Sequence, residues 1–341
     1  MWIFQNTFLI RPKQWIIDLL RLALCLSLRR IWNLLKISTG YTASVLTRQP
    51  YVFGGPFALS AEVSANCNLR CPHCIEGLKQ TQRTQRMLTV ETFRELSISH
   101  KQSVFYANLY FQGEPFLNPR LSQMIRTASE LRFYTCIATN GHFLEKEKCR
   151  EIIEGGLDRI VISLDGLDDQ TYSFYRVGGN FDKVVEGIAT LAATRRELRA
   201  SNPLIVLQFL VNRQNENQIE ELPHFAKKCG ADMVQVKTMQ VYGDSLSDDF
   251  LPLNPRYNRY AKSNAKQKAR NNRWRSCFRL WSHVVYTSDG RLVPCCYDKV
   301  PDHSLANTKG ENLWFSPQLN QFRQNVLTNR QGVAICSNCP E

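Results

Sequence analysis

The sequence predicts an α/β fold in which a parallel sheet, either open or curled into a barrel, carries helices on its outer side. Between residues 57 and 240, short apolar segments alternate with longer segments of helical pattern. Polar or cysteine-containing loops follow several of the apolar segments. After residue 240 this alternation ends, and a tail with several cysteines follows. We therefore expect one α/β body with a small appended domain.

Six strands and five helices account for the body. The strands are predicted at 57–64, 104–111, 134–138, 160–164, 204–211 and 233–237. The helices are predicted between them, at about 89–100, 119–132, 143–155, 181–199 and 215–229. Parallel strands place their functional loops at the carboxyl ends. The loops that follow these strands are therefore the first place to look for chemistry.

An amphipathic helix, rich in Leu, Ile and Trp, is predicted over 13–37, followed by a connector at 38–56. Its longest uncharged run, from Leu22 to Leu28, has seven residues, whereas a helix needs about 20 to cross a bilayer. Two interpretations stay open. The helix packs on the body or on a second subunit, which is slightly favoured, or it lies in the plane of a membrane surface with its cations facing lipid headgroups.

Composition limits the setting and the partners. The chain has 341 residues, 43% of them hydrophobic, with 12 cysteines and a formal net charge of +13. No cleavable signal peptide is recognised and the cysteines cluster at metal-ligand spacings, so a reducing cytoplasm is expected. Residues 1–56 carry seven Lys or Arg against one acid, and residues 250–288 carry nine against none. This uneven charge suggests an anionic partner at the two appendages.

Three thiols lie within eight residues after the first strand, at Cys67, Cys71 and Cys74. A structural zinc site or a fully ligated iron–sulfur cluster needs four ligands, and the next cysteine is Cys136. Three thiolates can hold three corners of a four-iron cluster and leave one iron open for chemistry. The alternative is a zinc site completed by His73 or by a distant cysteine.

The Cys-x3-Cys-x2-Cys spacing resembles the signature of the radical S-adenosylmethionine (SAM) enzymes. The resemblance implies a partial (β/α)6 barrel and a 4Fe-4S cluster whose open iron binds SAM. It also implies a low-potential electron donor such as flavodoxin or ferredoxin. An electron from the cluster would cleave SAM to methionine and a 5′-deoxyadenosyl radical, which removes hydrogen from a substrate. His73 stands where family members often have an aromatic residue near adenine.

Other strand ends resemble the SAM contacts of this family. Gln112-Gly113-Glu114-Pro115 resembles the family's Gly-Gly-Glu-Pro motif, which implies that Gly113 and Glu114 bind the SAM amino group. The remaining contacts implied are Asn140, then Ser163 and Asp165 toward the ribose or carboxylate, and Val211 at the adenine. Each residue taken alone also fits an ordinary turn or strand end. No catalytic acid or base is predicted.

The tail carries a second candidate metal site. Cys277-x12-Gly290-x4-Cys295 resembles the opening of the SPASM domain, a cysteine-rich extension of some radical SAM enzymes, and Thr287–Gly290 is predicted to be a hairpin turn. Cys277, Cys295, Cys336 and Cys339 are enough for one auxiliary 4Fe-4S cluster. Cys296 is the alternative to Cys295, and a four-cysteine zinc site is the alternative to the cluster.

These interpretations divide the chain into 1–56 (N-terminal helix and connector), 57–240 (radical SAM core) and 241–341 (SPASM-like domain). The substrate stays open between a peptide or protein and a small molecule such as a sugar or lipid-linked precursor. A basic helical run at 256–279 would suit an acidic substrate, although an ordinary solvated helix is favoured. The competing class is a metal-stabilised electron carrier or nucleic-acid binder, for which Trp274, Phe278 and Trp281 interleave with the cations. Nucleic acid is the less favoured partner.

Overall fold

The computed structural model describes residues 7–240, 249–263, 266–269, 276–300, 303, 305, 313–337 and 339. The chain forms two compact units. The first collects residues 1–21, 67–79 and 136–270, and the second collects 22–66, 80–135 and 271–341. The division of the chain at residues 56 and 240 stays a prediction.

The described strands, in chain order, are β1 (Thr7–Leu9), β2 (Ala58–Ala61), β3 (Tyr106–Asn108), β4 (Tyr134–Thr139), β5 (Arg159–Ser163), β6 (Leu204–Val211), β7 (Met233–Thr238), β8 (Tyr260–Ser263), β9 (Lys266–Ala269), β10 (His283–Tyr286) and β11 (Leu292–Val293). All six predicted strands of the body are confirmed as β2 to β7. The predicted bounds are longer than those of β2 and β3, because the ends of those segments leave the ladder for the loops that carry the site.

The described α-helices are α1 (Pro12–Leu24), α2 (Leu28–Thr47), α3 (Val90–Ser99), α4 (Leu121–Glu130), α5 (Lys146–Glu154), α6 (Asp169–Tyr175), α7 (Phe181–Glu197), α8 (Leu222–Cys229), α9 (Arg279–Ser282), α10 (Pro317–Asn329) and α11 (Ala334–Ser337). Polar side chains cap several of them. Thr89, Asp168 and Asn180 each accept a hydrogen bond from a backbone N–H in the first turn of α3, α6 and α7.

In the first unit, residues 136–139 of β4 pair in parallel with β5, β5 pairs with β6, and β6 with β7. β1 adds an antiparallel edge to β7, with Phe8 opposite Val234. Strand β6 is apolar at seven of its eight positions and largely buried, as expected for a parallel strand covered on both faces. The alternation of parallel strands and helices predicted from the sequence is confirmed.

In the second unit, β2 pairs in parallel with β3 on one side and with β10 on the other. β10 and β11 form the predicted hairpin, with Tyr286 opposite Leu292. The side chain of Asp289 in the turn accepts hydrogen bonds from Thr287 and Arg291. This hairpin therefore continues the sheet of the second unit instead of standing apart in the tail.

The prediction of one helix over 13–37 is wrong. The Ser27 hydroxyl accepts a hydrogen bond from the Arg30 N–H and starts a new helix, α2. That helix runs to Thr47, through most of the predicted connector, and ends where Arg48 adopts a left-handed φ of 58°. Apolar periodicity on both sides of the cap concealed the break. No helix among the described residues is long and apolar enough to cross a membrane.

The basic run at 256–279 is also not the predicted helix. Residues 260–263 and 266–269 form the antiparallel pair β8 and β9. Lysine and arginine are good helix formers, but tertiary pairing overrides such a preference. Residues 270–275, which include Trp274, lie outside the described residues.

Candidate functional site

The loop that carries Cys67, Cys71 and Cys74 lies in the first unit. None of these three cysteines forms a disulfide, and Cys71 is buried. The loop turns tightly, with the Cys74 N–H donating to the Cys71 carbonyl at 3.2 Å. Gly77 permits this turn, because a Cβ at that position would lie 2.4 Å from the Cys71 oxygen. The backbone therefore holds the last two thiols in one compact turn.

Hydrogen-bond donors point at two of the three sulfurs. The Asn140 Nδ2 lies 3.9 Å from Cys67 Sγ and donates to Asn68 Oδ1 at 2.7 Å. The Arg176 Nη1 lies 3.9 Å from Cys71 Sγ. Burial raises the pKa of the Cys71 thiol, and the Arg176 guanidinium opposes that rise by favouring the thiolate. The environment suits an iron–sulfur cluster, whose thiolate ligands gain from nearby donors.

Arg176 was missed by the sequence analysis. Its Nε donates to Asp165 Oδ2 at 2.6 Å, and Asp165 is fully buried at the end of β5. The Leu210 N–H donates a hydrogen bond to the other carboxylate oxygen, Oδ1, at 2.8 Å. Burial raises the pKa of Asp165, and the guanidinium and the N–H oppose that rise. The signal in the sequence was a cation that follows the Asp165 strand end by only eleven residues.

The other predicted SAM contacts of this unit lie at strand ends as expected. Ser163 is the last residue of β5 and Val211 the last of β6. Ser163 keeps some exposure, whereas the Val211 side chain is completely enclosed. His73 packs edge-on against Phe250, with ring centroids 4.6 Å apart. The contact of His73 with adenine stays a prediction.

Gly113 and Glu114 lie in the second unit. Gly113 has a φ of +69°, and a Cβ there would lie 2.3 Å from the Ser64 oxygen and 2.7 Å from the Asn66 oxygen. The Glu114 N–H donates to the Asn66 carbonyl at 2.6 Å, and Asn66 directly precedes Cys67 in sequence. The Glu114 carboxylate, almost fully buried, accepts from the Phe116 N–H. Glycine is therefore required where this loop meets the backbone before the triplet.

The second unit also brings the tail cysteines together. Burial, together with the neighbouring Cys277 and Cys339, raises the pKa of Cys336 to about 12. Burial likewise raises the pKa of Cys295, with Cys296, Cys277 and Cys336 contributing. Thiols so placed ionise readily only when a metal takes the proton's place. The Cys296 sulfur accepts instead from Arg279 Nη1 at 3.5 Å.

In the described part of the chain, no three His, Cys, Asp or Glu side chains are positioned to hold a single metal ion. Each cysteine of a four-iron cluster binds a different iron, so cluster ligands need not converge on one point. Both donor sets consist of cysteine alone, which is the usual ligand set of such clusters. Both sets of cysteines are therefore suitable ligands for a 4Fe-4S cluster.

Four further cysteines lie outside these two sets. Cys136, Cys149 and Cys229 are buried, and burial raises the pKa of Cys149 to about 12 and that of Cys229 to about 11. These three are core residues. Cys25 is only half-buried, because it lies in the break between α1 and α2 rather than inside one helix.

Family models agree with both cysteine sites. The model of the Radical SAM superfamily matches residues 61–226, and that of SPASM, an iron–sulfur cluster-binding domain, matches residues 277–340. The chain belongs to the radical SAM superfamily and carries a SPASM domain. It is an enzyme. Its first domain binds SAM and a 4Fe-4S cluster, and its SPASM domain binds auxiliary iron–sulfur clusters. The zinc alternatives are therefore not supported.

Several known proteins are similar to this chain. The PqqA peptide cyclase of Gluconobacter oxydans (strain 621H) is 26% identical over 291 residues, which cover 79% of each chain. Streptococcus suis SuiB bound to precursor peptide SuiA has a TM-score of 0.61 at 15% identity, covering 92% of this chain and 76% of that chain. The structure of anSMEcpe with AdoMet (SAM) and Cp18Cys peptide has a TM-score of 0.55 at 14% identity, covering 84% and 88%. These structures share the fold.

Proposed function

We propose that this radical SAM enzyme reductively cleaves SAM at a four-iron cluster held by Cys67, Cys71 and Cys74, and removes hydrogen from a peptide or protein. When bound, the cluster and SAM supply one-electron cleavage and a carbon radical that abstracts hydrogen. The observation that carries the proposal is the pair of donors, Asn140 and Arg176, aimed at the sulfurs of a triplet inside the matched domain.

The residues of the first unit divide between positioning and contact. Asp165 has both carboxylate oxygens engaged, by Arg176 and by the Leu210 N–H. We therefore assign it to positioning Arg176, whose guanidinium stays next to Cys71 and offers charge to an anionic group. Ser163 keeps its role as a SAM contact, and Val211 forms the enclosed apolar wall for the adenine. The chain thus supplies orientation and exclusion of water, and the cofactor supplies the difficult chemistry.

Gly113 and Glu114 are proposed to receive the SAM amino group. A carboxylate held by the Phe116 N–H is an acceptor of fixed direction, and carboxylates form strong hydrogen bonds with ammonium groups. The Glu114 N–H of the same loop donates to the Asn66 carbonyl. A substitution that moves this loop would therefore also move the backbone directly before Cys67.

The auxiliary 4Fe-4S cluster is proposed to use Cys277, Cys295, Cys336 and Cys339. The electrostatic coupling of Cys295 with Cys277 and Cys336 supports Cys295 over Cys296. The cluster lies in apolar surroundings, since Cys336 packs with Trp281, Phe322 and Val326. Burial of this kind limits solvent access and tunes reduction potential.

A peptide or protein substrate is favoured because the curated relative modifies a peptide, as its name states, and two similar structures hold peptides. A sugar or lipid-linked precursor is the second candidate class. The basic composition of residues 256–279 would suit an anionic substrate. We further propose a cytoplasmic enzyme that receives electrons from a low-potential donor such as flavodoxin or ferredoxin.

The test is iron and sulfide per chain after oxygen-free reconstitution, together with SAM cleavage under a chemical reductant. We expect about eight iron per wild-type chain, and about four in a C67A/C71A/C74A variant that no longer cleaves SAM. A C336A/C339A variant should lose about four iron and still cleave SAM without substrate. Wild type that binds no iron and cleaves no SAM would refute the proposal. Peptide and small-molecule pools are then compared as hydrogen donors.

A further inference from the structure

Helix α2 carries more apolar residues than its inward side buries. Its buried positions are Arg30, Asn33, Ile37, Gly40 and Ser44, and Leu34 and Tyr41 pack with Ile37 in an apolar cluster. A surface helix normally directs its apolar stripe to the core and its polar side to water. On α2 a second set of apolar residues is exposed, and we call it the α2 face: Leu28, Ile31, Trp32, Leu35 and Leu46.

Specific polar bonds hold the inward side of α2, so the orientation is fixed by more than packing. The buried Arg30 guanidinium donates to the carbonyls of Cys25, Lys101, Leu131 and Arg132 at 2.6–3.0 Å. The Asn33 amide both donates to the Gly55 carbonyl and accepts from the Gly55 N–H. Rotating α2 to bury these exposed apolar residues would break the hydrogen bonds of Arg30 and Asn33. Their buried backbone partners would then be left without a hydrogen bond, which is destabilising in a protein interior.

The α2 face is strongly exposed. Leu28 is 86% accessible, Trp32 58% and Leu46 79%. Leu28, Ile31, Trp32 and Leu35 follow the i, i+3, i+4, i+7 spacing of a single helix face. Contiguous exposed apolar residues of this kind mark a surface that binds a partner or a membrane.

Helix α1 independently repeats the arrangement. Its buried Asp18 pairs with Arg159, and its Arg21 donates to Asp158 at 2.6 Å. Ile16, Leu19 and Leu20 remain exposed on the other side. Two consecutive helices thus attach through ions and hydrogen bonds and leave apolar side chains in water.

The charges around these helices indicate which kind of partner binds the exposed apolar residues. Between residues 7 and 57, Asp18 is the single acid, and it is buried. The exposed charged residues of this region are cations: Arg11, Lys13, Arg29, Lys36 and Arg48. A second copy of the chain would bring cations against cations. An anionic lipid headgroup layer meets the cations, while Trp32 and the leucines enter the acyl boundary.

We propose that the α2 face docks the enzyme on an anionic membrane surface, with α2 lying in the plane of that surface. Cations near such a surface each contribute roughly fivefold to partitioning. The apolar residues add the insertion that keeps the protein bound once the charges have brought it there. This inference does not depend on SAM chemistry.

The experiment is co-sedimentation of the reconstituted full-length protein with vesicles of phosphatidylglycerol mixed with phosphatidylcholine, and with vesicles of phosphatidylcholine alone. Wild type should bind the anionic vesicles at low salt and release partly at high salt. An R29Q/K36Q variant should bind about 25-fold more weakly, and an I31S/W32S/L35S variant at least about tenfold more weakly. The matched control is L253S/F315S, which removes exposed apolar side chains outside the helices and should bind as wild type.

All variants replace exposed side chains, so iron content and circular dichroism should match wild type. Wild type that stays in the supernatant with anionic vesicles at low salt overturns the proposal. Equal binding by the I31S/W32S/L35S variant does so as well. A wild-type dimer, measured by light scattering and abolished in that variant, would assign the α2 face to a second copy instead.

Discussion

Replacing Arg176 by Gln tests how the candidate site is held together. The Asp165 carboxylate is fully buried and Arg176 is 15% accessible, with 2.6 Å between the paired atoms. In R176Q the carboxylate keeps the Leu210 N–H but loses its countercharge. Removing one partner of a buried ion pair costs about 3–5 kcal/mol, because the remaining charge stays desolvated. We expect R176Q to lower the free energy of opening of the segment from the end of β5 through α6.

The assay is hydrogen exchange by mass spectrometry on cluster-free protein, so that loss of metal does not contribute. A loss of about 3–5 kcal/mol corresponds to about two to three and a half orders of magnitude in protection of peptides spanning 165–176. Arg150 provides the matched control. It pairs with Glu197 at 2.9 Å on an exposed surface, so R150Q should change protection little.

A D165N/R176Q double variant shows whether the lost protection comes from the unpaired charge of Asp165. Removing both charges leaves no buried ion, so most of the protection lost in R176Q should return. If R176Q exchanges like R150Q, Asp165 does not depend on Arg176 and the positioning role is wrong. Iron content after reconstitution gives a second readout, because R176Q also removes the donor 3.9 Å from Cys71 Sγ.

Three further predictions concern the second unit. G113A forces a Cβ against two backbone oxygens at a positive φ, so SAM affinity, measured by equilibrium dialysis, should fall at least about tenfold. C295A should lose the auxiliary iron on reconstitution, whereas C296A should retain it; equal losses would contradict the assignment of Cys295. Burial lowers the pKa of His100 and of His283 to about 4, from an ordinary 6.5. The folded unit resists protonation that the unfolded chain accepts, so stability should be full above pH 6.5 and fall by up to about 3 kcal/mol per histidine as pH drops to 4. Urea unfolding should show this slope reduced in H100Q.

The strands and the cysteine sites were accessible from the sequence because both have local signals. A buried parallel strand such as β6 is a continuous apolar run, and the spacing of the cysteines is the one expected of ligands to an iron–sulfur cluster. The hairpin of β10 and β11 followed from the Asp289-Gly290 turn. The pairing of β10 with β2 could not be predicted, because the local sequence of a strand does not indicate which distant strand it pairs with.

Arg176 shows why the site was only partly predictable. A motif search finds residues that contact a cofactor, and Asp165 was assigned on that basis. The structure gives Asp165 two internal partners, which makes Arg176 the outward-facing member of the pair. Whether a carboxylate serves a ligand or another side chain depends on what the fold places beside it. That placement is a tertiary property.

The N-terminal helices show the limit of hydrophobic periodicity in a different way. Periodicity identifies two faces of a helix but does not say which face is inward. On α2 that choice is made by Arg30 and Asn33, whose hydrogen bonds to backbone carbonyls can form only in a protein interior. The Ser27 cap and the small residues Gly40 and Ser44 lie on or beside the same side, and a Cβ at Gly40 would come within 2.8 Å of the Tyr51 oxygen. A helix with polar and small residues in line opposite an apolar stripe, and with no acid in its sequence, therefore carries its own evidence for an apolar partner outside the fold.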